Sequence, residues 1–114
     1  MESRLDQFWL YREKMNERIL EGGHLGTLRF FRLDCAAYED GALPLKTKEL
    51  LGLVASAVLR CNDCIDYHLA QCVKAGYSDA ELHDALNVAL VVGGSIVIPH
   101  LRHAYETIDL LRKG

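Results

Sequence analysis

The chain has 114 residues, half of them apolar and a quarter charged; that excludes intrinsic disorder and leaves room for one domain, residues 1–114. Thirteen basic and sixteen acidic side chains give a net charge of −3, and no dense cationic stripe runs along the chain, so neither nucleic acid nor a membrane is an expected partner. The start, Met1-Glu2-Ser3-Arg4-Leu5-Asp6, lacks the layout of a signal peptide, and its apolar runs are short of the roughly 18 residues of a membrane helix; the expected location is cytoplasmic.

Helical periodicity dominates and no strand alternation is visible. The first helix spans residues 4 to 21, with Leu5, Phe8, Trp9, Arg12, Met15 and Ile19 at helical intervals, and stops at Gly22-Gly23. The second, about 25 to 39, carries Leu25, Leu28, Phe31, Cys35 and Tyr38 and runs into Asp40-Gly41. Pro44 opens a third, about 45 to 60, which is apolar nearly all round after Glu49 and therefore reads as buried. Asn62 or Asp63 is the expected N-cap of a fourth helix that runs to Ala75. Ser78-Asp79-Ala80-Glu81 has capping-box spacing and starts a fifth. Gly93-Gly94 ends it, and a sixth resumes near Ser95, with Pro99 early in it. The fold class is all-α, a bundle of about six helices. The third helix and the run Ala89-Leu90-Val91-Val92 would leave apolar surface exposed on a monomer, so a homo-oligomer is expected.

Chemistry concentrates at Cys61-Asn62-Asp63-Cys64. In the absence of an export signal, this pair points to redox chemistry or metal binding in a reducing compartment. On a helix, Cys61, Cys64 and His68 lie within about 60° of arc on one face. Cys64 falls in the first turn, where unpaired N–H groups and the helix dipole favour a thiolate and lower its pKa. Cys61 is close enough to resolve a sulfenate or a mixed disulfide. His68, one turn on, is a candidate proton acceptor. If the third and fourth helices pair antiparallel around Arg60-Cys61, Glu49 lies ~16 Å back from the corner and His68 ~12 Å beyond it. The two could then meet, and a lone Glu on an apolar helix needs a partner.

Glu49, eleven residues, Cys61-x-x-Cys64, three residues, then His68 resembles the Glu-x11-Cys-x2-Cys-x3-His signature of the AhpD-like alkylhydroperoxidases, within the carboxymuconolactone decarboxylase-like superfamily. The resemblance covers about residues 20 to 112, including Gly76-Tyr77-Ser78-Asp79-Ala80-Glu81 and Val91-Val92-Gly93-Gly94. It implies the AhpD-like helical fold, usually a trimer or hexamer, with the Cys pair at a helix N-terminus. It further implies Cys64 as attacking thiolate, Cys61 as resolving thiol, and His68 with Glu49 as proton relay. The substrate would be a hydroperoxide or a disulfide; a lipoyl-type or thiol protein would donate electrons, with a peroxiredoxin as possible partner, and no cofactor or metal is implied. Better-known members have His directly before the second Cys, where this chain has Asp63. An acid there raises a thiolate's pKa, which weighs toward disulfide relay over peroxidase activity.

Rival readings are weaker. A thioredoxin-like Cys pair follows a strand, haem attachment needs His where Ile65 stands, and a zinc site would have to recruit His68, His100 or His103 across unusual spacing. Cys72 and Cys35 read as small core residues, and His100 and His103 as surface histidines. Two other function classes remain: a carboxymuconolactone decarboxylase-type enzyme, whose name-giving members lack the Cys pair, and a non-enzymatic redox-sensing oligomer.

Overall fold

The computed structural model describes residues 2–114 and is all-helical, with no strand among them. The chain falls into two compact units. The first, up to Ala42, contains α1 (Arg4–Glu21) and α2 (Leu25–Ala37); the second, Leu43–Gly114, contains α3 (Leu45–Val58), α4 (Asn62–Lys74), α5 (Asp79–Gly93), a 3₁₀ turn at Ser95–Val97, and α6 (Ile98–Lys113). No helix among the described residues is long and apolar enough to cross a membrane.

In the first unit, Ser3 and Asp6 form a reciprocal capping box at the start of α1, each backbone N–H donating to the other's side chain at 3.1 Å. His24 caps α2 by accepting the Thr27 N–H at Nδ1. No residue of α2 is buried, so Cys35, expected in a core, is exposed. A two-helix unit of this size has too few neighbours to surround an apolar stripe.

The second unit has a continuous core. Leu53 and Ala57 of α3 meet Ile65, Leu69 and Cys72 of α4, Leu82, Leu86 and Ala89 of α5, and Ala104 and Ile108 of α6. Each fully buried Leu or Ile in that set stabilises the fold by roughly 2–3 kcal/mol. The expected capping box opens α5: Glu81 N–H donates to Ser78 Oγ, and Ser78 N–H to Glu81 Oε1. As expected for a single copy of the chain, α3 is buried on one side and leaves apolar surface exposed. It turns Glu49, Leu53, Ser56 and Ala57 inward, while Leu51 and the C-cap Leu59 are 53% and 76% exposed. Val88, Val91, Val92 and Ile96 are exposed as well. Within the second unit, α3 packs against α4 and α5.

Candidate functional site

The corner between α3 and α4 builds the site. After Val58 the helix closes in a Schellman arrangement: Arg60 N–H donates to Ala57 O at 3.1 Å and Cys61 N–H to Ser56 O at 3.0 Å. That geometry puts Arg60 at φ 61°, the one positive φ outside glycine among the described residues. Left-handed backbone at a side-chain-bearing residue costs roughly 1–2 kcal/mol. The turn lets Cys61 leave in extended conformation (φ −107°, ψ 99°) and start α4 at once.

Cys61 itself is the N-cap, one residue ahead of the expected Asn62 or Asp63. Its Sγ accepts the Cys64 N–H at 3.3 Å, the place an oxygen takes in an ordinary cap. Cys61 and Cys64 are joined as a disulfide, their Cα atoms 5.3 Å apart. Cys64 is in the first turn of α4 and exposed, whereas Cys61 is half-buried.

One turn beyond Cys64 on the same face, His68 Nδ1 is 3.1 Å from Glu49 Oε1. The carboxylate is 5% and the imidazole 12% exposed. The structure thus brings Glu49 and His68 together across the α3–α4 pair, on the helix that starts with the cysteine pair. Beneath them, Cys72 is fully buried. Burial, reinforced by the nearby Glu49 charge, pushes its thiol pKa up to about 12, so it stays protonated at neutral pH. Cys72 is eight residues along α4 from Cys64, ~12 Å of helix, too far for a disulfide. Its expected place in the core is the observed one.

The opposite face of α4 holds a second polar cluster. His100 Nδ1 is 2.7 Å from Asn62 Oδ1, and His103 Nε2 is 2.9 Å from Asp66 Oδ1. The Thr107 hydroxyl lies 2.6 Å from the same Asp66 oxygen and 3.0 Å from His103 O. His100 and His103 are therefore half-buried and bonded, not surface histidines. The reason is that Asp66, only 2% exposed, requires donors in the core. Asn62 and Asp66 are two positions out of phase with Cys64 and His68, about 200° round the helix, so α6 grips α4 from the side away from the cysteines. Thr107 and Gly52, neither singled out from the sequence, also bear on α4. A carboxylate between Ile65 and Leu69 signals the need that Thr107 meets, and an isolated glycine inside a helix signals a close packing approach. Among the described residues, no group of three or more His, Cys, Asp or Glu side chains is arranged to hold a metal ion.

Residues 27–107 match the profile of the carboxymuconolactone decarboxylase family. Among curated proteins, an uncharacterized protein of Cupriavidus necator is 30% identical over 76 residues, 67% of either chain. An uncharacterized protein of a cox locus in Paracoccus denitrificans is 26% identical over 80 residues, 70% of this chain and 72% of that one. Among solved structures, a Thermotoga maritima protein superimposes with TM-score 0.91 at 58% identity over 94% of both chains. A second crystal structure from that organism, at 57% identity and TM-score 0.89 over 94% of this chain and 91% of that one, is of a carboxymuconolactone decarboxylase family protein for which a part in the antioxidative response has been suggested. A family protein from Legionella pneumophila, 30% identical, matches with TM-score 0.68 over 92% of this chain and 87% of that one. The chain belongs to the carboxymuconolactone decarboxylase family.

Proposed function

We propose that the protein is a thiol-dependent antioxidant oxidoreductase, of the AhpD-like alkylhydroperoxidase type, in which Cys61 and Cys64 cycle between dithiol and disulfide. The observation that carries this reading is the 3.1 Å bond between Glu49 of α3 and His68 of α4, the helix capped by Cys61 and carrying Cys64 in its first turn. In the reduced protein, His68 accepts the Cys64 thiol proton, and Glu49 stabilises the imidazolium that results. The first-turn amides and the helix dipole favour the thiolate. That thiolate attacks a hydroperoxide oxygen: an S–O bond forms, the O–O bond breaks, and the alkoxide leaves as alcohol with the proton held by His68. Cys61 then attacks the Cys64 sulfenic acid, releasing water and closing the disulfide. The two cysteines lose two electrons and the hydroperoxide gains them. A dithiol donor, a lipoyl-type group or a thiol protein, reopens the disulfide by exchange and is itself oxidised.

Asp63 sits between the cysteines in the first turn and is exposed. Its charge opposes the thiolate, which supports protein-disulfide relay, with a partner peroxiredoxin as the final peroxide reductant, as the second reading. The same Cys61–Cys64 chemistry serves it, with a disulfide sulfur replacing the peroxide oxygen. The exposed Leu51, Leu59, Val88, Val91 and Val92 support a homo-oligomer that covers them.

The test is intact mass after thiol alkylation of the reduced protein, with and without a slight excess of an organic hydroperoxide. Wild type is expected to lose two alkylation sites within the mixing time while Cys64→Ser keeps all of its own. If wild type, quenched and alkylated under denaturing conditions so that buried Cys72 also reacts, retains all four sites, direct peroxidase activity is refuted. Disulfide relay is then assayed with an oxidised dithiol, and Cys64→Ser retaining full turnover would remove that reading also.

A further inference from the structure

We propose that Gly52 is a positioning residue for His68: by having no side chain it forms the notch in which the imidazole lies, and thereby sets the Glu49–His68 bond. The consequence for thiol chemistry rests on the relay reading above; the placement of the ring does not.

Gly52 follows Glu49 by three residues and so shares its face of α3. It lies inside a regular helix, without the positive φ found at Gly23, Gly76 and Gly94, so its backbone asks for no glycine. Glycine is moreover a poor helix former next to alanine, and the rest of the helix is rich in Leu, Val and Ala. Space accounts for it. A Cβ at Gly52 would stand 2.6 Å from His68 Cε1 and 2.8 Å from each of its ring nitrogens, Nδ1 and Nε2. Those three atoms form the edge of the imidazole that carries its chemistry. Any side chain at position 52 therefore drives that edge away from α3, and with it Nδ1 away from Glu49 Oε1. The obstructing group is a side-chain ring, not backbone, so the ring can swing out while the helices stay packed. Tyr67, edge-on to the imidazole at 5.2 Å, flanks the ring within the same helix. Glu49 thus supplies the acceptor and Gly52 the room.

Gly52→Ala tests this with two readouts. An ionised Glu49 can only accept, so Nδ1 of His68 carries the proton in the wild-type bond, and ¹⁵N NMR of histidine-labelled protein reports that tautomer. The Nδ1–H signature of His68 is expected to be lost in Gly52→Ala, with helical circular dichroism unchanged. Cys64 thiolate reactivity is expected to fall about a hundredfold, the contribution of a positioned general base, and to match His68→Ala. In the His68→Ala background, Gly52→Ala should cause no further loss. There it should raise the melting temperature by about 3 °C, because alanine's helix preference is then unopposed. An unchanged His68 tautomer in Gly52→Ala, or a further fall in reactivity in the double variant, overturns the assignment. A lost tautomer with undiminished thiol reactivity upholds Gly52 as the positioner and refutes the relay.

Discussion

Cys72 provides a quantitative test of the electrostatics beneath the site. Its thiol is fully buried and its pKa is raised from 9.0 to about 12, first by burial and second by Glu49. The unfolded chain therefore releases this proton at lower pH than the folded one, so the thiol's contribution to stability is whole below pH 9 and is lost as pH rises toward 12. With those two values, proton linkage makes the folded state about 2 kcal/mol less stable at pH 10.5 than at pH 8 through this group alone. The parent for the measurement is Cys35→Ser/Cys61→Ser/Cys64→Ser, which leaves Cys72 as the one thiol and removes disulfide exchange. Urea midpoints are compared at the two pH values with and without Cys72→Ala. The alanine leaves a cavity that lowers both midpoints alike, and Tyr77, whose pKa is raised first by burial and then by the Cys72 and Glu81 charges, titrates in both proteins, so the difference of differences reports the thiol together with its coupling to Tyr77. A drop in the Cys72-containing protein no larger than in Cys72→Ala would refute the placement of this thiol in a water-excluded core beside Glu49.

Glu49→Gln in the same parent removes the second cause and should lower the Cys72 pKa toward, but not to, its ordinary value; thiolate ultraviolet absorbance against pH measures it. Oxidised native protein should take one iodoacetamide label, at exposed Cys35, and a second, at Cys72, only after denaturation, as intact mass will count. Asp66→Ala strips the buried Thr107 hydroxyl and His103 of their shared acceptor and should cost about 2–3 kcal/mol in urea unfolding. Arg60→Gly relieves the left-handed strain but loosens the unfolded chain, for a net gain of about 0.5–1 kcal/mol, read as a higher midpoint.

The Glu49–His68 contact is legible in the sequence because it depends on two quantities that hardly vary: the rise of a helix and the brevity of the corner at Arg60-Cys61. Similar axial depths on either side of a tight turn leave little else for the pair to do. What was misread lies where local pattern has no purchase. The cap of α4 fell on Cys61 because sulfur is a weak acceptor that cap preferences do not rank, and here the cysteine's extended backbone decides the matter. His100 and His103 look like surface residues on hydropathy, and their partners Asn62 and Asp66 are 38 and 37 residues away. Gly52 hides for a different reason: it acts through an absent atom, and its significance shows only once the ring it admits is in place.

Helix α4 is therefore held by histidine contacts on two opposite faces, and the proposed relay assigns them different roles. On the α6 side, the histidines come from the neighbouring helix and the acceptors from α4; one oxygen of Asp66 meets both an imidazole and a hydroxyl, as a saturated structural clasp does. On the α3 side the polarity is reversed. The histidine belongs to α4 itself, one turn from Cys64, and the carboxylate comes from the neighbour. Only that arrangement puts an imidazole on the same helix face as the cysteine, where a proton can pass without crossing the helix. Loss of the Asp66 cluster should then appear mainly as lost stability, and loss of the Glu49 contact mainly as lost thiolate reactivity. Two variants of equal chemical severity on a single helix, Asp66→Asn and His68→Gln, should thus differ in which of these quantities they change.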